Sequence, residues 1–90
     1  MSIVAVIVKI MPDSPDANLE EIHDQTLKIL ESQGAKNLSF EEKEIAFGLK
    51  ALMIKFAWPE EKDTDIIESS LQKIEHVSSV SIEDYRRAFG

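Results

Sequence analysis

The segment that most constrains the fold is the apolar run at residues 50–58, KALMIKFAW. Leu52, Ile54 and Phe56 share one parity, so in a β-strand their side chains point to one face. The other parity is also mostly apolar, which is typical of a strand in the middle of a sheet. Just before this run, Phe47-Gly48 predicts a turn or bulge, because glycine adopts backbone conformations that other residues resist.

The segments on the N-terminal side of this strand form a strand, a helix and a second strand. Residues 3–11 are β-branched and apolar on both parities except at Lys9, which predicts another central strand. Residues 19–32 have apolar side chains at helical spacing (Leu19, Ile22, Leu27, Ile29 and Leu30), with Asn18 as the N-terminal cap and Gly34 as the stop. Residues 36–45 are highly charged, which favours an edge strand.

The C-terminal third repeats this pattern. After the turn at Pro59, Thr64 or Asp65 is expected to cap a second helix that ends at His76 and buries Ile67, Leu71 and Ile74. Residues 77–85 alternate between apolar and polar side chains and predict a half-buried last strand near a sheet edge. The motif VKIMPD near the start resembles IKFAWPE in the middle, so the chain reads as two copies of strand, helix and strand.

Two such units predict an α+β fold, a two-layer ferredoxin-like βαββαβ sandwich with a four-stranded antiparallel sheet and two helices on one face. The first and third strands would be central. By parity, the open face would carry Ile3, Ala5, Ile7 and Lys9 beside Leu49, Ala51, Met53 and Lys55. Because this face is more apolar than solvent contact requires, it is either an interface or is covered by a second copy or by loops.

Composition narrows the class of protein. Ninety residues predict a single domain spanning residues 1–90, and the absence of cysteine excludes disulfides and thiol chemistry. The formal net charge of −7 argues against direct nucleic-acid binding, although Arg86 and Arg87 form a small basic end. No apolar run reaches the roughly 20 residues needed to span a bilayer, so we expect a soluble cytoplasmic protein without membrane contact.

Catalytic and metal-binding motifs are not found in the sequence. His23 and His76 lack the spacing of metal ligands, and no phosphate-binding glycine loop or Ser-His-Asp order is present. Acyl phosphate hydrolases of the same architecture use an Arg-bearing, Gly-rich loop after the first strand, where this chain has Pro12 to Pro15. The residues alone therefore indicate a small acidic βαββαβ domain that binds another protein.

Three separated blocks carry a family resemblance: VAVIVKIMPDSP, AFGLKAL and VSSVSIEDYRR. Together they resemble archaeal translation elongation factor one-beta over nearly the whole chain, and AFGLKAL is also similar to the eukaryotic exchange domain. The resemblance implies a guanine-nucleotide exchange factor that promotes GDP release from elongation factor one-alpha, the GTPase that delivers aminoacyl-tRNA to the ribosome. It implies no cofactor and no metal on this chain.

The resemblance also assigns residues. In that family an aromatic side chain in the turn before the third strand docks into the GTPase, and Phe47 holds that place here. A basic residue near the C-terminus approaches the magnesium and phosphate region, where the eukaryotic domain has a Lys and this chain has Arg87 with Arg86 and Tyr85 beside it. The exchange and partner-binding residues that we expect are Phe47, Gly48, Lys50, Tyr85, Arg86 and Arg87.

Two other classes stay open at this point. A ferredoxin-like small-ligand regulatory or protein-interaction module would bind its ligand at a dimer interface and would not depend on the C-terminal arginines. An RNA-binding module would need exposed aromatic side chains on a basic sheet face, which the net charge opposes.

Overall fold

The computed structural model describes residues 3–46 and 48–89. Its elements are β1 (Ile3–Pro12), α1 (Leu19–Ser32), β2 (Lys36–Ala46), β3 (Leu49–Pro59), α2 (Asp65–Leu71) and β4 (Val77–Phe89). The strands form one antiparallel sheet in the order β2-β3-β1-β4. The predicted ferredoxin-like α+β fold is confirmed, with the first and third strands in the centre.

The core lies between the sheet and the two helices. β1 and β3 pair directly, with Val4 opposite Trp58, Val6 opposite Phe56 and so on along both strands. Every second residue of each strand is at most 2% exposed: Val4, Val6, Val8, Ile10, Leu52, Ile54, Phe56 and Trp58. The helices add further apolar side chains to the same cluster, Ile22, Leu30, Ile67 and Leu71. The predicted parity of both central strands is therefore confirmed.

α1 begins and ends where the sequence predicts. The Asn18 side chain accepts a hydrogen bond from the Glu21 backbone N–H at 3.2 Å, which satisfies one of the free donors of the first turn. Gly34 has a φ of +101°, and the Ala35 N–H donates to the Leu30 carbonyl. This is the left-handed stop that glycine favours after a helix.

The buried stripe of α1 includes one residue that the apolar pattern did not predict. Ile22, Thr26 and Leu30 are its buried residues, whereas Leu19, Leu27 and Ile29 are half-buried. A spacing of four residues keeps side chains on one helical face, and Thr26 falls on that face although its hydroxyl is polar. The apolar pattern alone therefore missed Thr26.

α2 begins at the predicted position but is shorter than predicted, and a different side chain makes the hydrogen bond at its start. Thr64 occupies the N-cap position, but its side chain makes no capping hydrogen bond; the Asp63 carboxylate instead accepts from the Asp65 N–H at 2.9 Å. The helix ends at Leu71. Ile74 lies beyond the helix and is still buried, since the following turns fold it back onto the core.

β4 is longer than the predicted 77–85 strand, and its pairing with β1 is irregular at three points, of which the middle one sets the faces of the arginines. The pairing shifts between Val8, which is opposite Ile82, and Ile7, which is opposite Asp84, so Glu83 is an extra residue on β4. Such a β-bulge exchanges the faces of all residues beyond it. The predicted strand end at residue 85 is therefore wrong, since Arg86 and Arg87 lie inside the strand.

The second face of the sheet has no helix over it. Ile3 is 46% exposed, and Ala5, Ile7, Lys9, Leu49 and Met53 are half-buried. Ala51 is the exception, since it is fully buried on this face. The predicted open, partly apolar face is thus present in the described part of the chain.

Candidate functional site

The C-terminal part of β4 sorts its side chains between the two faces of the sheet. Arg87 is opposite Val4, Arg86 is opposite Ala5 and Tyr85 is opposite Val6. Directly opposed residues of an antiparallel pair point to the same side. Since Val4 and Val6 are buried under the helices, Tyr85 and Arg87 are on the helix side of this edge strand, and Arg86 is on the open face. The two adjacent arginines therefore point in opposite directions.

Each arginine has a carboxylate partner. Arg87 Nη2 lies 2.8 Å from Glu60 Oε1, and Arg86 Nε lies 3.0 Å from Asp84 Oδ2. Both guanidinium groups are mostly exposed, 71% for Arg87 and 78% for Arg86. Exposed pairs of this kind stabilise a protein by only about 0–1 kcal/mol, so a stronger anion can displace the carboxylate.

Glu60 is the residue of this cluster that the sequence did not single out. It follows β3 directly, and its side chain is only 27% exposed. Its second oxygen, Oε2, is buried and has no hydrogen-bond partner among the described residues. The contact with Arg87 joins residues 27 positions apart and ties the end of β4 to the loop that follows β3. Only the sheet order could reveal it, because the sequence places Glu60 in a charged loop.

The turn between β2 and β3 forms the second candidate cluster. Ala46 pairs with Leu49, so two residues, Phe47 and Gly48, connect the strands. Gly48 has a φ of +79°, a conformation that side-chain-bearing residues rarely adopt. A Cβ at Gly48 would meet no atom within 4 Å, so backbone conformation and not space requires glycine here. Phe47 lies outside the described residues; its neighbours Ala46 and Gly48 are exposed.

Lys50 lies just after this turn and is exposed. Its Nζ is 3.8 Å from Glu42 Oε1 on the neighbouring strand. A shallow depression beside it is lined by Pro12, Pro15, Gly48 and Lys50, among other residues of the β1–α1 connection. Lys50 therefore belongs to the surface around the turn.

The two clusters lie at opposite ends of the sheet. Arg87 pairs with Val4, near the start of β1. Gly48 comes four residues before Leu52 on β3, and Leu52 pairs with Ile10, near the end of β1. At ~3.3 Å per residue, about ten residue steps separate these levels, which corresponds to roughly 30 Å. The longest dimension of the molecule is 42 Å. A small ligand cannot contact both clusters, but a protein surface can.

The histidines do not form a metal site. The His23 ring packs on Phe40 with 3.8 Å between ring centroids, and His76 lies 3.5 Å from an Asp13 carboxylate oxygen on another part of the surface. Across residues 3–46 and 48–89, no group of three or more His, Cys, Asp or Glu side chains is arranged to hold a metal ion. In the same part of the chain, neither helix has the length and apolar character needed to cross a membrane.

Comparison with known proteins gives a consistent result. The family model described as the EF-1 guanine nucleotide exchange domain matches residues 5–88. A protein named elongation factor 1-beta from Methanocella arvoryzae is 40% identical over 90 residues, covering 99% of this chain and 100% of the relative. Proteins of the same name from Ignicoccus hospitalis and Halorubrum lacusprofundi are 38% and 35% identical and cover 93% and 97% of this chain.

We expect Gly48→Ala to destabilise the protein through the backbone alone. A left-handed conformation costs an L-residue about 1–2 kcal/mol. For a domain of this size, 1 kcal/mol lowers the melting temperature by roughly 4–8 °C. Gly48→Asn is the matched control, because asparagine tolerates this conformation better, and it should lose less stability. Equal melting temperatures for wild type and Gly48→Ala would contradict this prediction.

Proposed function

The chain belongs to the EF-1 guanine nucleotide exchange domain family, and we propose that it promotes release of GDP from elongation factor one-alpha in the cytoplasm. The observation that carries this proposal is the family match over residues 5–88, supported by relatives named elongation factor 1-beta over nearly the full chain. The nucleotide and its Mg²⁺ belong to the GTPase. The chain then acts as a binding protein that speeds exchange, and no covalent bond is made or broken.

Exchange follows from differential binding. GDP is held in a GTPase mainly through its phosphates and Mg²⁺, which are the largest local charges of such a site. A protein that binds the nucleotide-free and metal-free GTPase more tightly than the GDP-bound form shifts the population toward release. The exchange factor therefore needs groups that interact with the GTPase only when GDP and Mg²⁺ have left.

Arg87 is the group that we propose for the phosphate and magnesium region. It is mostly exposed, lies near the end of an edge strand, and makes only a surface-type ion pair with Glu60. Moving from Glu60 to an anionic site on the GTPase exchanges one anionic contact for another. The lost pair costs on the order of 1 kcal/mol because the Arg87 side chain is mostly exposed, and leaving the half-buried Glu60 carboxylate without its partner adds to that cost. Its planar guanidinium favours bidentate contacts with phosphate or carboxylate oxygens.

The turn at Phe47-Gly48 supplies the second proposed contact. Phe47 takes this role by resemblance to the family, and its exposed neighbours support it. Because the turn and Arg87 are at opposite ends of the sheet, we propose that the GTPase contacts the domain at both ends. One contact fixes the domain on the GTPase while the other acts at the nucleotide site.

We predict that this protein accelerates release of fluorescently labelled GDP from elongation factor one-alpha of the same organism. The release rate in a stopped-flow experiment should rise with the concentration of the protein and then saturate, since a complex forms before release. An unrelated GTPase serves as the control and should show no change. An unchanged release rate at the highest attainable concentration of the protein would refute the proposed function.

We predict unequal effects of the two arginines. Arg87→Ala should slow the maximal rate of GDP release roughly 10- to 100-fold, because a charge-assisted hydrogen bond is worth about 1.5–3 kcal/mol. Arg86→Ala is the matched control on the other face and should slow the maximal rate of GDP release less than about threefold. The thermal stability of either variant should change little. Equal rates for both variants and the wild type would contradict the role of Arg87.

For Phe47 we predict lost binding without lost stability. Phe47→Ala should raise the concentration needed for half-maximal exchange and leave the thermal melt unchanged. A buried phenylalanine would instead cost about 3–5 kcal/mol on truncation to alanine. A large fall in melting temperature would therefore contradict a docking role.

A further inference from the structure

The charges of the open sheet face are opposite in sign to those of the whole molecule. The register places five cations on this face, at Lys9, Lys36, Lys43, Lys55 and Arg86. Two carboxylates share it, Glu41 and Asp84, and Glu83 at the bulge reaches it by accepting a hydrogen bond from Ser81 at 3.0 Å. Half of the ten basic residues but few of the 17 acidic ones therefore lie here, and the rest of the chain is strongly acidic.

The cations lie among apolar side chains on this face. Ala5 is directly opposite Ala57, whereas Ile7 is opposite Lys55 and Met53 is opposite Lys9; the four apolar side chains are half-buried. A shallow depression along Ile7 and Met53 is bounded by Ser39, Lys43 and Lys55. None of the four lysines on this face forms an ion pair with a carboxylate in the described part of the chain, whereas Arg86 is paired with Asp84. A face on which apolar side chains alternate with cations of this kind is complementary to an acidic and partly apolar protein surface.

We propose that this open face binds an acidic, partly apolar surface of the same GTPase, elongation factor one-alpha, between the two end contacts. The inference rests on the proposed function. It follows from continuity: Leu49, which begins β3 at the Phe47-Gly48 turn, and Arg86, at the Arg87 end, both belong to this face. Arg87 itself points to the helix side at the edge of the sheet, so a partner that contacts it and the turn can extend along the open face, which no helix covers.

A second copy of the chain fits this face poorly. A face-to-face pair would oppose two surfaces that each carry an excess of cations, and like charges at an interface are unfavourable. With a strand length of about 33 Å and an inter-strand spacing of about 4.8 Å, the face offers roughly 500–600 Å², less than the ~800 Å² per partner of a standard interface. Contacts at the two ends of the sheet would supply the missing area to a GTPase but not to a second copy.

RNA also fits poorly, despite the lysines. Sheet surfaces that bind single-stranded RNA stack bases on exposed aromatic rings. Phe40, Phe56, Trp58 and Tyr85 are all level with buried positions of the neighbouring strands, so these rings are on the helix side. Within the described residues whose side chains are placed, the open face has no aromatic ring.

The test is charge reversal on the open face. Lys43→Glu/Lys55→Glu should raise the concentration of this protein needed for half-maximal GDP release at least tenfold at low salt and leave the maximal rate unchanged. The matched control, Lys28→Glu/Lys73→Glu, changes the net charge equally at exposed positions outside this face. It should change the concentration needed for half-maximal GDP release less than twofold. Added salt should weaken the wild type more than the open-face variant, because screening acts on the charges that steer association.

The outcomes separate the two proposals. If the wild-type protein does not accelerate GDP release from the GTPase, the proposed function fails and this inference fails with it. If the wild type is active and both double variants behave alike, the function stands and the open-face inference is overturned.

Two further measurements test the other occupants of this face. Sedimentation should show a monomer, and RNA oligonucleotides should not compete with the GTPase; a dimer through this face or tight RNA binding would also overturn the open-face inference. Thermal melting shows whether each variant is folded. The neutral variant Lys43→Gln/Lys55→Gln should raise the half-maximal concentration by an intermediate amount.

Discussion

The pairing of β1 with β3 determines the rest of the structure. These two strands bury eight large side chains against the helices, in direct register from Ile3 opposite Pro59 to Ile10 opposite Leu52. Burying a large aliphatic or aromatic side chain stabilises a fold by about 1.5–3 kcal/mol, so a one-residue slip that moved this set to the open face would be very costly. The remaining strands can then attach only at the two outer edges, β2 on β3 and β4 on β1.

This arrangement also separates the candidate functional groups. Antiparallel pairing sends the β2–β3 turn to the end of the sheet where β1 finishes, and it brings the end of β4 back to the level where β1 starts. Gly48 and Arg87 are thus held far apart on a rigid sheet, and neither is part of the core that holds the sheet together. Changes at either end should therefore affect binding to a partner much more than folding, with the backbone requirement at Gly48 as the exception.

The sequence predicted the elements well because each depends on a local pattern. Two-sided apolar strands, the Asn18 cap and the glycine after α1 require no knowledge of distant residues. Thr64 is the N-cap residue of α2, as one of the two predicted candidates, but the expected capping hydrogen bond was wrong. Thr64, Asp65 and Asp63 are all competent acceptors, and only the local backbone decides among them. The Glu60 contact with Arg87 was not predictable, since it depends on which strands are neighbours.

The bulge at Glu83 shows most clearly what a local pattern cannot supply. Val80 and Ile82 face the helices, and simple alternation from them would place Arg86 on the helix side and Arg87 on the open face. Because Glu83 is an extra residue, the register shifts and the two arginines exchange faces. Arg87 consequently meets Glu60 on the helix side, and Arg86 joins the lysines of the open face. A single inserted residue thus assigns one arginine to the proposed nucleotide-site contact and the other to the proposed docking face, and the choice between two adjacent and chemically identical side chains is made by strand register.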